Sequence, residues 1–221
     1  LQRMTDMIAH RGPDSEGHYI DEHAALGHRR LSIIDLGGGQ QPIYNEDGSK
    51  VITFNGEIYN YQTLREELIA AGHTFTTKSD TEVLLHGYEQ WGVDLLQRVR
   101  GMFTFVIWDK NKQELFGARD HFGIKPFYYA KMNGTFMYAS EIKSLLRHPD
   151  FVKELNAEAL KPYMTFQYPA IGETFFKGVY KLPEGHYFTY RDGKMDIHRY
   201  YDEDFREGKQ KLGELVNSID Q

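Results

Sequence analysis

The segment MFTFVIW at residues 102–108 constrains the fold of this chain more than any other part of the sequence. Consecutive side chains of a β-strand point to opposite faces of its sheet. One face of this strand carries Phe103, Phe105 and Ile107, and the other carries Met102, Val106 and Trp108. Since both faces are apolar, both must be covered by other layers of the protein, and we expect a layered sandwich.

Shorter patterns around this segment predict a mixture of strands and helices, an α+β fold. Strands are predicted at residues 51–54, 114–118, 126–130, 135–139, 174–180 and 185–190. Asn60 and Ser79 stand where N-cap residues would begin helices. Ser79 and Glu82 also fit a capping box, in which each side chain bonds the other's backbone amide. A further helix is expected at residues 156–165, where Pro162 should kink or restart it.

The composition excludes several classes of protein. The chain has 221 residues, 40% of them apolar, which is enough for a substantial core in one domain. Its formal charge of −6 argues against a nucleic-acid partner, because binding to phosphates needs clustered Lys and Arg. Its apolar runs are too short to span a membrane, and its start lacks a signal pattern, so we expect a cytoplasmic protein that does not bind membranes.

Cysteine and histidine limit the chemistry further. The sequence has no cysteine, which excludes disulfides, thiolate zinc sites and a thiol nucleophile within these residues. Its 10 histidines show no paired metal-ligand spacing, so no metal site is predicted. After residue 204 the sequence becomes polar and charged. We therefore expect one domain at residues 1–204, and a linker with the start of another domain at residues 205–221.

Three sequence features could recognise a free amino acid. Arg30 could clamp a carboxylate through two parallel hydrogen bonds, and Asp80 could accept hydrogen bonds from an ammonium group. Asn55 followed by Gly56 could present two donors to a developing oxyanion. Each feature also has an ordinary explanation, because a surface arginine, an acid at a helix start and an Asn-Gly hairpin turn need no ligand.

Longer motifs favour the functional interpretation, because blocks in a fixed order match by chance far less often than one short motif. The chain resembles the glutaminase half of the glutamine-dependent asparagine synthetases. The matching blocks are HRGPD at residues 10–14, RLSIID at 30–35, FNGEIYN at 54–60, SDTE at 79–82, ARDHFGIKP at 118–126, ASEIK at 139–143 and LPEGH at 182–186.

This resemblance implies a class II glutamine amidotransferase domain with the N-terminal-nucleophile hydrolase fold, a four-layer αββα sandwich of two antiparallel sheets. It implies that glutamine is the ligand and that Asn55 and Gly56 form the oxyanion hole. The residues that it assigns to glutamine binding are Arg30, Leu31, Ser32, Ile33, Ile34, Asn55, Gly56, Glu57 and Asp80. It leaves Arg119, Asp120, Lys125 and Pro126 to shape a loop near the pocket.

The nucleophile in this family is an N-terminal cysteine, whose own α-amine titrates at roughly 7.7–8.0 and can accept the thiol proton. Leu1 begins the present sequence after the position of that cysteine, so the resemblance implies that this chain binds glutamine without hydrolysing it. No cofactor is expected in this domain. The released ammonia would pass to a C-terminal synthetase domain of the same polypeptide, which would use ATP and magnesium to amidate aspartate, and a homodimer is compatible with the resemblance.

Two related classes remain open as alternatives. A catalytically silent domain, like that of the β-lactam synthetases, would keep the fold without using glutamine. The full set of Arg30, Asn55, Gly56, Glu57 and Asp80 disfavours it, because a silent pocket does not need all five residues. The glutaminase halves of phosphoribosyl or sugar-phosphate amidotransferases would share the fold, but they match these motifs poorly.

Overall fold

The structure is a computed structural model that describes residues 1–32, 38–167 and 172–203. Ile33, Ile34 and the predicted linker at residues 205–221 lie outside the described residues. The helices are α1 (Gln2–Asp6), α2 (Tyr61–Ala70), α3 (Asp80–Trp91), α4 (Leu95–Arg98), α5 (Ile142–Leu145) and α6 (Ala157–Phe166). The strands are β1 (Ser15–Ile20), β2 (Ala25–Arg30), β3 (Ile43–Tyr44), β4 (Lys50–Ile58), β5 (Gly101–Asp109), β6 (Glu114–Arg119), β7 (Tyr128–Met132), β8 (Thr135–Ala139), β9 (Val179–Lys181), β10 (His186–Arg191) and β11 (Lys194–Arg199).

Antiparallel pairing organises these strands into three sheets. The largest has six strands in the order β11-β10-β6-β5-β4-β3, with β4 and β5 paired along their whole length from Lys50–Asp109 to Ile58–Gly101. A three-stranded sheet has the order β8-β7-β9, and β1 pairs with β2 alone. The central strands of the largest sheet therefore provide a rigid base for whatever side chains project from β4.

The core lies in layers on either side of the six-stranded sheet. Phe103, Phe105 and Ile107 of β5 are buried against apolar side chains of α2 and α3. Val106 and Trp108 face the other way, towards the core shared with β2 and the segments that flank β7. A third cluster joins the three-stranded sheet to α5 and α1. The prediction that residues 102–108 form a strand covered on both faces is confirmed, and the layers follow the order helix, sheet, sheet, helix.

The capping box predicted at the start of α3 is wrong in one half. Ser79 is the N-cap, and its hydroxyl accepts a hydrogen bond from the Thr81 amide at 3.2 Å. The Glu82 carboxylate does not return to Ser79. It accepts four hydrogen bonds, from the backbone amides and hydroxyls of Thr76 and Thr77, at 2.7–3.0 Å. These nearer donors from the preceding loop satisfy the carboxylate more completely than one helix amide could.

Three other features of the local structure differ from the sequence prediction. Asn60 precedes α2 but makes no capping hydrogen bond, because its side chain bonds the backbone of Arg98 and Arg100 instead. Helix α6 continues through Pro162 to Phe166. Strands β1 and β2 were not predicted, since their sequences SEGHYI and ALGHRR contain few apolar residues and bury only Tyr19, Leu26 and Arg30 fully.

Within the described residues, no helix combines the length and apolar character that crossing a bilayer requires.

Candidate active site

A cavity of about 710 Å³ opens beside the carboxyl ends of β2 and β4 and the first turn of α3. Of the residues that the sequence assigns to glutamine binding, Arg30, Leu31, Asn55, Gly56, Glu57 and Asp80 line this cavity. Ser32 is not among the lining residues, and its backbone amide donates to the Asp14 carboxylate at 2.8 Å. The structure thus gathers residues from three separate motifs around one space.

Arg30, the last residue of β2, holds a positive charge at the start of α3. Only 7% of its surface is exposed. Gly39 lies between it and the helix: a Cβ atom added to Gly39 would stand 2.7 Å from Nη2 of Arg30 and 3.2 Å from Cβ of Ser79. Any larger residue at position 39 would displace the guanidinium. The local sequence therefore allows Arg30 to approach the helix start that carries Asp80.

Asp80 is the buried acid of the cavity. Its carboxylate accepts the backbone amide of Ile58 at 2.9 Å, which ties the end of β4 to the first turn of α3. Burial raises the pKa of Asp80, the Ile58 amide opposes that rise, and the nearby charge of Glu57 adds to it. A cationic ligand such as an ammonium group would favour the charged carboxylate and reverse the effect of burial.

Asn55 and Gly56 lie in the middle of β4, opposite Thr104 and Phe103 of β5. The strand predicted at residues 51–54 ends before them, but β4 continues through Ile58 because β5 pairs with it along that length. The hairpin explanation for Asn55-Gly56 is therefore wrong. A Cβ atom at Gly56 would lie 2.1 Å from the carbonyl oxygen of Met102, so the close approach of β5 requires glycine there.

The side-chain nitrogen of Asn55 is buried and, in the part of the chain that the structure describes, has no hydrogen-bond partner. Leaving such a donor unsatisfied costs about 1–3 kcal/mol, so most buried donors in native proteins have a partner. Because Asn55 also lines the cavity, a ligand oxygen is the partner that its position favours.

Sequence analysis missed the residues that fix the backbone just before Asn55. Gln41 donates its side-chain amide to the Phe54 carbonyl at 3.0 Å, and the Phe54 amide donates to the Gln41 side-chain oxygen at 2.6 Å. Nε2 of His28 donates to the same carbonyl at 2.9 Å. These contacts span 13 and 26 residues of sequence, and no short motif signals them. They orient Asn55 through its neighbour.

Arg119 and Asp120 have the structural role that the sequence predicted. Arg119 donates to the carbonyls of Lys125 and Leu182 at 2.7 Å each, and also to the carbonyl of Gly123. Asp120 accepts amides from the same loop, including that of Lys125 at 2.9 Å. Lys125 lines the cavity, so this buried pair shapes part of the cavity wall from behind.

Comparison with known proteins gives a family and a fold. Residues 1–201 match the family model described as "Glutamine amidotransferase domain". Asparagine synthetase [glutamine-hydrolyzing] 1 of Bacillus subtilis is 46% identical, and the match covers 99% of this chain and 35% of that protein. Asparagine synthetase [glutamine-hydrolyzing] 3 of the same organism is 36% identical, and the match covers 99% of this chain and 36% of that protein. The chain thus spans about a third of these curated relatives.

Among solved structures, the glutamine phosphoribosylpyrophosphate amidotransferase of Bacillus subtilis aligns with a TM-score of 0.56 and 21% sequence identity. The alignment covers 80% of this chain and 35% of that one. At this level of identity the likeness shows the fold alone. It agrees with the N-terminal-nucleophile hydrolase sandwich expected from the sequence.

Proposed function

The chain belongs to the glutamine amidotransferase domain family, and on that premise we propose that it is the glutamine-binding domain of an asparagine synthetase. The observation that carries the proposal is the buried, unpartnered amide nitrogen of Asn55 in a cavity that also holds Arg30 and Asp80. A free amino acid with a side-chain carbonyl offers a match for each of these three groups.

Each group then has a distinct task. Arg30 binds the α-carboxylate through two parallel hydrogen bonds, a geometry that the ammonium group of lysine cannot reproduce. Asp80, assisted by Glu57, binds the α-ammonium group. The glutamine side chain places its carbonyl oxygen at Asn55 and Gly56, which stabilise the negative charge that develops on this oxygen during attack.

The attack itself needs a nucleophile that these residues do not contain. The sequence has no cysteine, so the proposed role of this chain is to bind glutamine and to prepare the oxyanion hole. A cysteine thiolate delivered to the cavity would form a thioester and release ammonia, and water would then release glutamate. The α-amine of an N-terminal cysteine would take up the thiol proton and pass it to the departing nitrogen, which leaves as ammonia.

The names of the relatives indicate a reaction that could use the released ammonia. Both Bacillus subtilis proteins are named as asparagine synthetases, and the matched region is about a third of each. We propose that a further domain of the same polypeptide uses ATP and magnesium to amidate aspartate with this ammonia, within the cytoplasm. The present domain needs no cofactor for its own part.

Calorimetric titration of the chain with glutamine tests the proposal. We expect saturable binding that Asp80→Asn weakens by at least about tenfold, because the substitution removes the charge that pairs with the ammonium group. Asp94→Asn serves as the matched control, since Asp94 is exposed and away from the cavity. A chain that does not bind glutamine would support the catalytically silent alternative. Equal binding by Asp80→Asn would contradict the proposed role of the acid.

A further inference from the structure

A second cluster of chemically active side chains lies outside the cavity. Glu46 lies in the turn between β3 and β4, His73 in the loop after α2, and His86 in α3. One potential ligand atom from each of the three lies within 4.8 Å of the others. We propose that these residues bind a divalent transition-metal ion of the zinc type, since two imidazoles and one carboxylate form a ligand set that zinc accepts.

A fourth ligand is at hand in Glu89. Its Oε2 lies 2.9 Å from Nδ1 of His86 and 3.9 Å from Nδ1 of His73. The other oxygen of the same carboxylate accepts the Asn45 side-chain amide at 2.7 Å, which fixes the carboxylate in place. Two histidines and two carboxylates can thus complete a four-coordinate site by small side-chain movements.

The other nitrogen of His86 has the environment that metal-bound histidines usually have. Nε2 is buried without a hydrogen-bond partner among the described residues, and it lies 3.6 Å from a carboxylate oxygen of Glu82. Glu82 is held by the four hydrogen bonds from Thr76 and Thr77. When Nδ1 binds the metal, Nε2 carries the proton and can donate a hydrogen bond to the Glu82 carboxylate. Such a carboxylate commonly orients a metal-binding imidazole and increases its basicity.

Charge and access also favour a cation. Glu46, Glu82 and Glu89 surround His86, and among the described residues Lys50 is the cation that pairs with Glu89, at 3.6 Å. Glu46 is exposed, so an ion can enter from solvent. Burial lowers the pKa of His86, but the neighbouring carboxylates of Glu82 and Glu89 raise it to about 9, so the ion must displace a proton.

A bound ion would brace α3. It would join this helix to the turn before β4 and to the loop after α2. Asp80 begins the same helix six residues before His86, about 9 Å along the axis. The proposed site thus lies outside the glutamine cavity but on the element that positions its acid.

Titration of the full chain with Zn²⁺ and with Co²⁺ tests this inference. We expect one ion per chain by calorimetry, visible absorption from Co²⁺ in a tetrahedral site, and a higher unfolding temperature with Zn²⁺. Glu46→Gln and His73→Ala should each weaken binding at least about tenfold, because each removes one ligand. Glu66→Gln, which replaces an exposed glutamate on α2, should bind the ion as the unchanged chain does.

Two results would overturn the inference. One is the absence of saturable binding up to millimolar free Zn²⁺. The other is binding that neither Glu46→Gln nor His73→Ala weakens. Circular dichroism of the metal-free variants checks that each one folds, so that weaker binding can be assigned to the lost ligand. Failure of this test leaves the glutamine proposal untouched, because glutamine binding is measured without added metal.

Discussion

His28 and Asp80 are titratable residues that line the same cavity. Burial favours the neutral form of both, because it lowers the pKa of His28 and raises the pKa of Asp80. For His28, burial and the nearby charge of Arg30 lower the pKa to about 4, while the hydrogen bond to Phe54 opposes that shift. Nδ1 of His28 is buried without a partner among the described residues, so a second proton on the ring has no acceptor there. The imidazole of His28 is therefore neutral in the folded protein at neutral pH.

This shift predicts a pH dependence of stability. Between pH 6.5 and pH 4 the unfolded chain protonates His28 while the folded chain does not, so the free energy of unfolding falls as the pH falls. The loss from this residue reaches about 3 kcal/mol at pH 4. His28→Gln, which retains a donor for the Phe54 carbonyl, should remove this part of the pH dependence. Urea unfolding at several pH values measures the free energy of unfolding of the unchanged chain and of His28→Gln. The same pH dependence in both proteins would show that His28 is not the source of the loss.

Among the elements, β4 provides Asn55 and Gly56 of the candidate site, and neighbouring segments fix the backbone of this strand. Gln41 satisfies both backbone groups of Phe54, and β5 holds the opposite edge of the strand. Asn55 and Gly56, the proposed oxyanion hole, are thus part of a paired strand. Backbone pairing with β5 holds one edge of this part of the strand, and the side chains of Gln41 and His28 hold the backbone of Phe54 on the other edge.

Replacing Gln41 by alanine tests this arrangement. The substitution leaves the buried amide and carbonyl of Phe54 with fewer partners, and we expect a loss of about 1–3 kcal/mol in the free energy of unfolding. Glutamine binding should weaken as well, since Asn55 is no longer oriented. Gln40→Ala is the matched control, because the adjacent Gln40 is exposed. Equal stability of the two variants would show that the Gln41 contacts do not hold β4.

The elements also show what could be predicted from sequence and what could not. The two apolar faces of β5 are a local pattern with a period of two residues, so the strand and its covering layers were predictable. The candidate site was predictable as a set of motifs, because the residues of each motif are adjacent in the chain. The contact between Gln41 and Phe54, and the grouping of Glu46 with His73 and His86, depend on the folding of distant segments. No spacing rule for short motifs detects them.

For the whole molecule, Arg119 links the two inner layers of the sandwich. It ends β6 of the six-stranded sheet and donates to the carbonyl of Leu182, which follows β9 of the three-stranded sheet. It also holds the loop that contains Gly123 and Lys125. One buried guanidinium therefore joins both sheets and part of the cavity wall.

The conservative change Arg119→Lys should be strongly destabilising. Lysine cannot reach three carbonyls in the fixed geometry of the guanidinium, and we expect a loss of about 2–4 kcal/mol. Thermal and urea unfolding measure the effect. Arg191→Lys, at an exposed position of β10, should change stability by less than about 0.5 kcal/mol. A small effect at Arg119 would mean that its hydrogen bonds are not needed to hold the two sheets together.

The proposed glutamine complex of this molecule depends on Arg30 as a guanidinium clamp at the start of α3. Titration calorimetry of the chain and of Arg30→Lys tests it most directly, because the variant keeps the positive charge and removes only the paired hydrogen-bond geometry. Arg100→Lys is the control, because it makes the same replacement of arginine by lysine at an exposed position. We predict saturable glutamine binding by the chain and by Arg100→Lys, with affinity at least about tenfold lower for Arg30→Lys. Equal affinity of all three proteins for glutamine would show that Arg30 does not clamp the ligand, and no binding by any of them would show that the chain does not bind glutamine.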